Sequence, residues 1–512
     1  MSIVFIIVYL ITNFLILKYN LHIFQLNYYM PDTQVKWLLK NKKKFITIFC
    51  LDILGIILIV INSKFVTIST ILLIIDAILV HERNVKKKIV YTNRVKRMYI
   101  TNYIILCILG IALYKHFDIL VITLLAINSL STFYMIILNY INLPINKMIN
   151  NYYVNDAKKK LASMPDLKII AITGSYGKTS TKNYVTKLLS SKYNVLATPG
   201  NFNTLLGITR TIRKDLKPTH EIFVCEVGID RVGQMDKIIK LIHPNYCMIT
   251  AIGPQHLETF GSQENIIKSK MTLLDGLKEN GVAFLNLDNE LIANADKKGK
   301  KYIGYGIKNN TNNKLKIVDQ KYSQKGIEFT LKKDDEKYKF NSKLLGEHNL
   351  IDLFGAITIA DYLEIDMKHI INSVKHINSV EHRLNLIPGT EYNLIDDSYN
   401  SNPIGSSNAL KVLKEFDGTR ILITPGMVEL GTKQDEYNYK FGELATECCD
   451  YIILVNKENT RPIQEALKDK KYPKDKIIIE DTFNEAFSKA RKIDSGTNEK
   501  YILIENDLPD NY

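Results

Sequence analysis

Paired cysteines are missing from this sequence, and so are low-complexity tracts. Its six cysteines show no CxxC spacing, which argues against a disulfide framework, and we expect all six to be reduced. Acidic residues are scarce at the N-terminal end. Residues 1–150 carry 5 Asp and Glu against 16 Lys and Arg, whereas the remaining residues carry 48 against 51. Of the net charge of +14, 11 units thus belong to the first 150 residues, where they flank apolar runs, and we expect no nucleic-acid partner.

Apolar runs dominate these first 150 residues. Most are near the short end of the roughly 17–25 residues that span a bilayer. The first run has no basic segment and no small-residue cleavage site, so we predict a retained anchor and not a signal peptide. We predict a transmembrane domain of about five helices over residues 1–143. The runs are Ser2–Leu17, Phe45–Asn62, Phe65–Val80, Tyr99–Tyr114 and Ile119–Leu138.

The loops between these runs predict the orientation. Tyr19–Lys44 and His81–Met98 are rich in Lys and Arg, and basic loops stay on the cytoplasmic side. The chain after Leu138 should therefore lie in the cytoplasm, at the cell membrane. Asp52 and Asp76 fall inside predicted spans, where a carboxylate is costly enough to suggest a function. The alternative is that each pairs with a nearby Lys or Arg.

Beyond a linker at residues 144–164, the chain predicts an α/β fold. Continuous apolar strands alternate with helices over residues 165–378, which is typical of a mostly parallel sheet covered on both faces. Between Lys301 and Leu345 the runs become short and alternating, and we expect antiparallel strands on the edge of that sheet. A second α/β alternation over residues 379–512 has no glycine-rich loop and predicts a smaller Rossmann-like domain.

The stretch LKIIAITGSYGKTSTK predicts a phosphate-binding loop. An apolar strand breaks at Gly174, and a helical pattern restarts at Gly177. The glycines let backbone N–H groups turn toward one point, and the helix dipole adds positive charge there. Lys178 can reach a phosphate oxygen, and the Thr179 hydroxyl can bind Mg²⁺. The generic P-loop has a glycine where this chain has Ile172, so this is not the loop of the common nucleotide hydrolases.

Three further residues are candidates for the same site. Glu226 ends an apolar strand, where a carboxylate is well placed to hold Mg²⁺, although strand ends are often charged. His256 follows the next strand and could face the same crevice, but a lone histidine is more often structural. Lys270 lies on a predicted helix, and by itself it would be interpreted as a solvated lysine.

Eight motifs in order resemble the Mur ligase family. They are TGSYGKTSTK, ATPGNFNTLLG, EVG, HLETFGS with a lysine fourteen residues after its histidine, GEHNL, HRLNLI, DDSYNSNP and GMVELG. The resemblance covers about residues 165–512. DDSYNSNP resembles the branch of the family that adds D-alanyl-D-alanine to the peptidoglycan precursor. The fold it implies is a Mur-ligase-type ATP-binding domain followed by a Rossmann-like C-terminal domain.

The resemblance also implies roles for individual residues. The nucleotide ATP would be bound by Gly174, Ser175, Gly177, Lys178, Thr179, Ser180, Asn349, Arg383 and Asp397. Mg²⁺ would be held by Thr179, Glu226, His256 and Lys270, the last as a carboxylated lysine. The catalytic residues would be Lys178, Lys270 and His256. The substrates would be bound by Asn201, Asn203, Tyr399, Asn400 and Asn402.

The implied activity is ATP-dependent amide-bond formation. An acceptor carboxylate attacks the γ-phosphate, and an incoming amine then displaces phosphate from the acyl phosphate. Family members carry a soluble domain for the uridine nucleotide before the P-loop, and apolar runs take its place here. We therefore hypothesise a membrane-anchored ligase in contact with membrane lipid. The alternatives are another acceptor, such as a polyglutamate or a lipid-linked cell-envelope substrate, and a membrane P-loop kinase or ATPase, which Ile172 disfavours.

Overall fold

The structure, a computed structural model, describes residues 2–80, 88–399, 402–428, 430–496 and 498–506. The chain divides into two compact units, one over residues 1–152 and the other over residues 153–508.

The first unit is helical, and all five predicted apolar runs fall in its helices. Two helices, α1 and α5, are long and apolar enough to cross a membrane, or three spans result if the bent pair α6 and α7 counts as one. This is fewer than the five predicted, because α4 has only 14 residues and the last run breaks with a 90° bend. The helices are α1 (Ser2–Leu26), α2 (Pro31–Lys40), α3 (Lys42–Ile61), α4 (Val66–Leu79), α5 (Asn93–Ala112), α6 (Phe117–Ser129) and α7 (Ser131–Ala162).

Polar side chains lie inside this helical unit. Asp52 of α3 and Asp76 of α4 are both buried, and their charges are close enough to interact. The Asn128 amide donates to both oxygens of Asp52, at 3.2 and 2.9 Å. Neither carboxyl group has a Lys or Arg partner among the described residues, and the oxygens of Asp76 have no hydrogen-bond donor there.

The segment predicted as a linker is helical. Helix α7 continues through Pro144 to Ala162, and the division between the two units falls inside it. Its last turns belong to the second unit, where Ala157 is fully buried and packs in the hydrophobic core beside the first strand.

The second unit contains a six-stranded parallel sheet in the order β2-β3-β1-β4-β5-β6. Its strands are nearly continuous apolar residues because helices cover both faces. The strands are β1 (Lys168–Thr173), β2 (Val195–Ala197), β3 (Ile222–Glu226), β4 (Tyr246–Ile249), β5 (Val282–Asn286) and β6 (Tyr302–Tyr305). The helices are α8 (Lys178–Leu189), α9 (Leu205–Lys214), α10 (Gln234–Ile242), α11 (Leu257–Phe260), α12 (Gln263–Met271) and α13 (Glu290–Ala293).

The antiparallel strands do not extend the edge of this sheet, which corrects the prediction. The edge strand β6 is parallel to β5. The following strands β7 (Leu315–Ser323), β8 (Gly326–Lys333) and β9 (Glu336–Ser342) form a three-stranded antiparallel sheet of their own. They separate because one face of this small sheet, including stacked Phe329 and Phe340, packs into the domain core.

Helices α14 (Glu347–Tyr362) and α15 (Met367–Lys375) lead to the C-terminal sheet, which has the order β10-β11-β15-β12-β13-β14. Only its edge strand β10 is antiparallel. The boundary between residues 378 and 379 stays a prediction. The elements are β10 (Asn385–Ile387), β11 (Asn393–Asp397), α16 (Pro403–Lys414), β12 (Thr419–Thr424), α17 (Gln434–Cys448), β13 (Tyr451–Val455), α18 (Arg461–Asp469), β14 (Ile477–Glu480), α19 (Phe483–Lys492) and β15 (Lys500–Glu505).

The strand order fixes where a ligand can bind. Strand β1 lies between β3 and β4. After β1 and α8 the chain forms β2 and β3 on one side of β1, and it then crosses to β4 on the other side. Ligands of open α/β sheets bind in the crevice at the carboxyl ends of such strands. The glycine loop follows β1, and Glu226 ends β3 opposite Ile172.

Candidate active site

The turn between β1 and α8 is closely packed around its glycines. Gly177 adopts a left-handed conformation (φ 76°) directly before α8, which favours glycine. A Cβ there would lie 2.4 Å from the Asp352 carboxylate, and a Cβ on Gly174 would lie 2.1 Å from the Thr250 hydroxyl. A side chain at either position would therefore collide with a neighbouring side chain. A backbone without side chains can also approach a phosphate closely.

Lys178 is the first residue of α8 and is buried against the loop. Its Nζ donates to the carbonyl oxygens of Gly174 at 2.7 Å and Ser175 at 3.1 Å. The pKa of Lys178 is lowered to about 8, chiefly by burial and also by nearby Arg383, whereas Glu226 opposes the shift. The ammonium is thus fixed by two carbonyl groups of the loop.

Glu226 is contacted by two segments, α8 and residues 200–203, which we call the GNFN loop. Its Oε1 accepts from the Thr179 hydroxyl at 3.1 Å and from Asn203 Nδ2 at 3.0 Å. Its Oε2 lies 3.1 Å from the Nζ of Lys182, and both side chains are nearly inaccessible to solvent, at 1% and 2%. Lys182 also donates to the carbonyl of Gly200 at 2.7 Å. The start of α8, which follows the glycine loop, and the GNFN loop thus meet at the Glu226 carboxylate.

Lys270 of α12 is buried at the same loop. Its Nζ donates to the Gly174 carbonyl at 3.0 Å. Burial lowers its pKa well below the ordinary value, and the charge of Lys178 adds to this. The interpretation as a solvated surface lysine is therefore wrong.

The remaining nucleotide-loop and metal candidates lie around this centre. Ser175 exchanges two 3.1 Å hydrogen bonds with the backbone of Gly253, and Ser180 is buried in the first turn of α8. His256 precedes α11 in a left-handed conformation, φ 54°. Within the described ranges, no three His, Cys, Asp or Glu side chains are placed to hold a metal together.

The oxygen atoms at this site nevertheless fit a Mg²⁺ ion. This ion keeps several water ligands and is bound in nucleotide sites by one or two protein oxygens plus substrate phosphates. The Glu226 carboxylate and the Thr179 hydroxyl, 3.1 Å apart, are oxygen donors of the right type beside the phosphate loop.

Arg383 brings the C-terminal domain to this centre. Its guanidinium stacks over the Tyr399 ring, 4.3 Å from the ring centroid, and the Tyr399 hydroxyl accepts from Asn201 Nδ2 at 3.1 Å. Burial lowers the pKa of Arg383, whereas Asp397, Tyr399 and Glu226 raise it. Burial raises the pKa of Asp397 to about 6, against the effect of Arg383. The two domains therefore meet at the phosphate loop.

Two predicted contacts have other partners in this structure. Asn349 on α14 donates to the Leu345 carbonyl at 2.9 Å and accepts from the Tyr184 hydroxyl at 2.9 Å, so its amide is used inside the fold. Asn402 precedes α16 and its Oδ1 accepts from the Gly405 N–H at 2.8 Å, which is a helix cap. The predicted substrate residue Asn400 lies outside the described residues.

Comparison with known proteins gives the family. Residues 172–360 match the Mur ligase middle domain, and residues 382–504 match the Mur ligase glutamate ligase domain. A UDP-N-acetylmuramoyl-tripeptide–D-alanyl-D-alanine ligase of Bacillus subtilis is 30% identical over 314 residues, which are 60% of this chain and 67% of the relative. The chain belongs to the Mur ligase family. The enzyme of the same name from Escherichia coli is 30% identical over 57% of this chain and 65% of the relative.

Solved structures of Mur ligases share the fold. MurF from Acinetobacter baumannii has a TM-score of 0.63 at 23% identity, with 70% of this chain and 77% of that chain covered. MurF from Thermotoga maritima in complex with ADP has a TM-score of 0.61 at 23% identity, covering 70% and 80%. The resemblance and the fold class predicted from the motifs are confirmed.

Two residues of this Mur ligase site were missed by sequence reasoning. Lys182 follows Lys178 by one helical turn on the buried face of α8, and this spacing could have suggested that both reach one centre. Asp352 lies next to Gly177 from α14, and burial raises its pKa to about 7. No sequence signal links Asp352 to the loop, because α14 and the loop are far apart along the chain.

Proposed function

We propose that this chain is an ATP-dependent ligase that joins D-alanyl-D-alanine to a muramoyl-tripeptide acceptor, forming ADP and phosphate. The names of the relatives support the substrates. The observation that carries the proposal is the meeting of Lys178, Glu226 and Arg383, from both ligase domains, at one glycine loop. The acceptor carboxylate attacks the γ-phosphate and releases ADP. The dipeptide amine then attacks the acyl carbon, so that the amide bond forms and phosphate leaves.

The side chains of the site match the charges of this reaction. A carboxylate and a triphosphate repel each other, and preorganised cations lower the barrier to their encounter. Lys178 holds the phosphates at the start of α8, and Arg383 approaches the same group from the C-terminal domain. Thr179 and Glu226 would hold Mg²⁺, which supplies further positive charge to the phosphates. The carboxylate of Asp397 would bind the ribose beside Arg383.

Lys270 is proposed to carry a carbamate. Burial lowers the pKa of its amine well below the ordinary value, which favours the neutral, nucleophilic form. Attack of the amine on CO₂ forms a C–N bond and releases one proton, which turns the side chain into a carboxylate. That group, together with His256, would supply oxygen and nitrogen ligands for a second Mg²⁺.

The acceptor is proposed to bind at the GNFN loop. Asn203 and Gly200 of this loop contact the Glu226 centre, and Asn201 contacts Tyr399. An acceptor seated here would place its carboxylate between the phosphate loop and the C-terminal domain.

Ligation is tested with the purified full-length chain, ATP, Mg²⁺, UDP-linked muramoyl tripeptide and D-alanyl-D-alanine. The expected result is release of one phosphate for each amide product, identified by mass. The Lys178→Ala variant should release none. Phosphate release without an amide product, or equal use of unrelated amines such as glutamate, would overturn the proposed substrates.

The helical unit is proposed to hold the enzyme in the cytoplasmic membrane as a multi-pass domain in contact with lipid, with the ligase domains in the cytoplasm. Its surface is apolar, as at Ile7 and Ile11 of α1 and Ile104 and Ile108 of α5. Its interior contains asparagines and two aspartates, such as Asn102 and Asp52. Exposed apolar side chains together with buried polar ones suit a protein surrounded by lipid.

Alkaline carbonate extraction of membranes tests this location. The chain should stay in the membrane pellet and be released only by detergent. Full release by carbonate would exclude membrane-spanning helices.

A further inference from the structure

Two arginines stand side by side at the start of α5. Arg94 is its second residue and Arg97 lies one turn further on, and their charges are close enough to repel each other. Both side chains are half-buried. We call these two residues the arginine pair. They lie far from the ligase motifs in sequence, and the proposed ligation does not use them.

Neutral side chains hold the arginine pair in place. Nη2 of Arg94 donates to Oδ1 of Asn139 at 2.8 Å, and Nη2 of Arg97 donates to Oδ1 of Asn146 at 2.6 Å. Both asparagines lie on α7. The Arg94 guanidinium also lies over the ring of Tyr29, 3.9 Å from its centroid. The two guanidinium groups are thus oriented by amides and an aromatic ring and are not neutralised by them.

Positive charge accumulates here against the usual preference of helices. The N-terminus of a helix carries partial positive charge, which favours acidic and not basic neighbours. Within the part of the chain that the structure describes, neither arginine has an ion pair with a carboxylate. Two partly buried positive charges without a counter-charge lower the stability of the fold unless an anion binds beside them.

Hydrogen-bond donors without acceptors mark the same place. The Nε atoms of Arg94 and Arg97 and Nδ2 of Asn146 are buried, and no acceptor among the described groups pairs with them. Asn146 itself is 7% exposed. Three unused donors beside two guanidinium groups need a ligand that is rich in acceptor oxygens.

We propose that the arginine pair binds a phosphate or diphosphate ester. Guanidinium forks match the oxygens of phosphate in two-point contacts, and the N–H groups at the start of α5 add to the attraction. A phosphate monoester at the head of a lipid and a soluble phosphate offer the same chemistry. Because this inference rests on the helical unit alone, it stands whether or not the ligation substrates are as proposed.

The test uses the full-length chain, stripped of lipid in detergent, with two probes. One is phosphatidic acid, compared with phosphatidylcholine of the same acyl chains, and binding is counted by native mass spectrometry. The other is inorganic diphosphate, measured by its competition with phosphatidic acid. The test variant is Arg94→Gln/Arg97→Gln. The control is Lys96→Gln, which removes one charge from the same turn of α5 at an exposed side chain.

We expect phosphatidic acid to bind at least tenfold more tightly than phosphatidylcholine. Each guanidinium removed should weaken that binding about tenfold, and Lys96→Gln should change it less than twofold. Competition by millimolar diphosphate would identify phosphate itself as the ligand, whereas absence of competition would identify a lipid head group. Equal binding of both lipids, or equal loss in the test and control variants, would overturn the proposal.

A second variant covers the case in which the double variant does not fold. Asn146→Asp places a carboxylate against Arg97 without removing either arginine. This internal anion should satisfy Arg97, so the variant should keep its fold and bind phosphatidic acid at least fivefold more weakly. Unchanged binding in the folded variant would contradict a site at Arg97.

Discussion

At the scale of single residues, the site depends on how its buried charges are matched. The Glu226 carboxylate is almost inaccessible, and its counter-charge is Lys182, with Thr179 and Asn203 as hydrogen-bond donors. A buried ion pair contributes little net stability, but removing one partner leaves the other charge uncompensated. For Lys178 and Lys270, burial lowers the pKa of the amine.

The variant Lys182→Met should therefore destabilise the ligase unit by about 3–5 kcal/mol. Glu226 would remain buried without a cation. Thermal unfolding of the full chain, followed through the ligase unit, measures the effect. Lys187→Met, at an exposed position of the same helix, should be neutral. Equal melting temperatures for the two variants would contradict this role, and Lys182→Met/Glu226→Gln should regain part of the loss.

Lys270→Ala should abolish ligation, and a small carboxylate such as acetate should restore part of it. The added anion would occupy the place of the proposed carbamate. Phosphate release with and without acetate is the measurement. Lys268→Ala, exposed on the same helix, should stay active and insensitive to acetate. Full activity of Lys270→Ala without any additive would mean that this lysine has no chemical role.

Nucleotide binding should weaken as the pH rises above about 8. In the free protein the pKa of Lys178 is lowered to about 8, and bound phosphates favour its charged form, so binding above that pH requires uptake of a proton. Calorimetric titration with ADP should show about tenfold weaker binding at pH 9 than at pH 7. Lys178→Arg, which does not titrate in this range, should show a flat profile. A flat profile in the parent chain would contradict the lowered pKa.

At the scale of elements, the strand–turn–helix unit of β1 and α8 creates the site. The turn works because Gly177 adopts a left-handed conformation while the carboxylate of Asp352 on α14 occupies the space beside it. The neighbouring strands β3 and β4 then bring Glu226 and the segment of His256 to the same edge of the sheet. Position along parallel strands, and not sequence proximity, decides which side chains meet.

Gly177→Ala should weaken ADP binding at least tenfold and lower the melting temperature. The new methyl group meets the Asp352 carboxylate at 2.4 Å in addition to the cost of its backbone conformation. Gly233 is a matched control, since it precedes α10 with φ 81° and open space around it. Gly233→Ala should lower the free energy of unfolding only by the cost of the left-handed backbone conformation, about 1–2 kcal/mol. Equal losses in both variants would show that Asp352 does not crowd the turn.

At the scale of the molecule, two units of different construction share one chain. The helical unit buries several polar side chains beside its apolar clusters and exposes many apolar side chains, and the ligase unit has an apolar core. Within the ligase unit, the two sheets meet where Arg383, Tyr399 and Asn201 connect the C-terminal domain to the loops of the ATP-binding domain.

Arg383→Ala should lower kcat about 10²- to 10³-fold, which is typical for loss of one preorganised donor to the transition state. ADP binding should fall much less, because the P-loop remains intact. Steady-state phosphate release and calorimetry give the two quantities. Arg461→Ala, at an exposed arginine of the same domain, is the control. A loss confined to ADP affinity would place Arg383 outside the transition state.

Much of the ligase fold could be predicted from the sequence. The apolar strand predicted to break at Gly174 is present as β1, because an unbroken apolar run before turn residues leaves a buried strand little freedom. The small sheet was misplaced because alternation reveals one buried face but not what that face packs against. The number of membrane spans was overestimated because hydropathy alone does not register the break at Leu130 or the shortness of α4.

The phosphate loop, its lysine and threonine, the order of motifs and thereby the family were determined by the sequence alone, because glycine conformation and motif spacing are local properties. Only the tertiary structure decided that Lys182 lies against Glu226, that Lys270, Asp52 and Asp76 are buried, and that the arginine pair has no carboxylate partner among the described residues. These are contacts between elements distant in the chain. Burial and charge pairing between such elements arise only from packing.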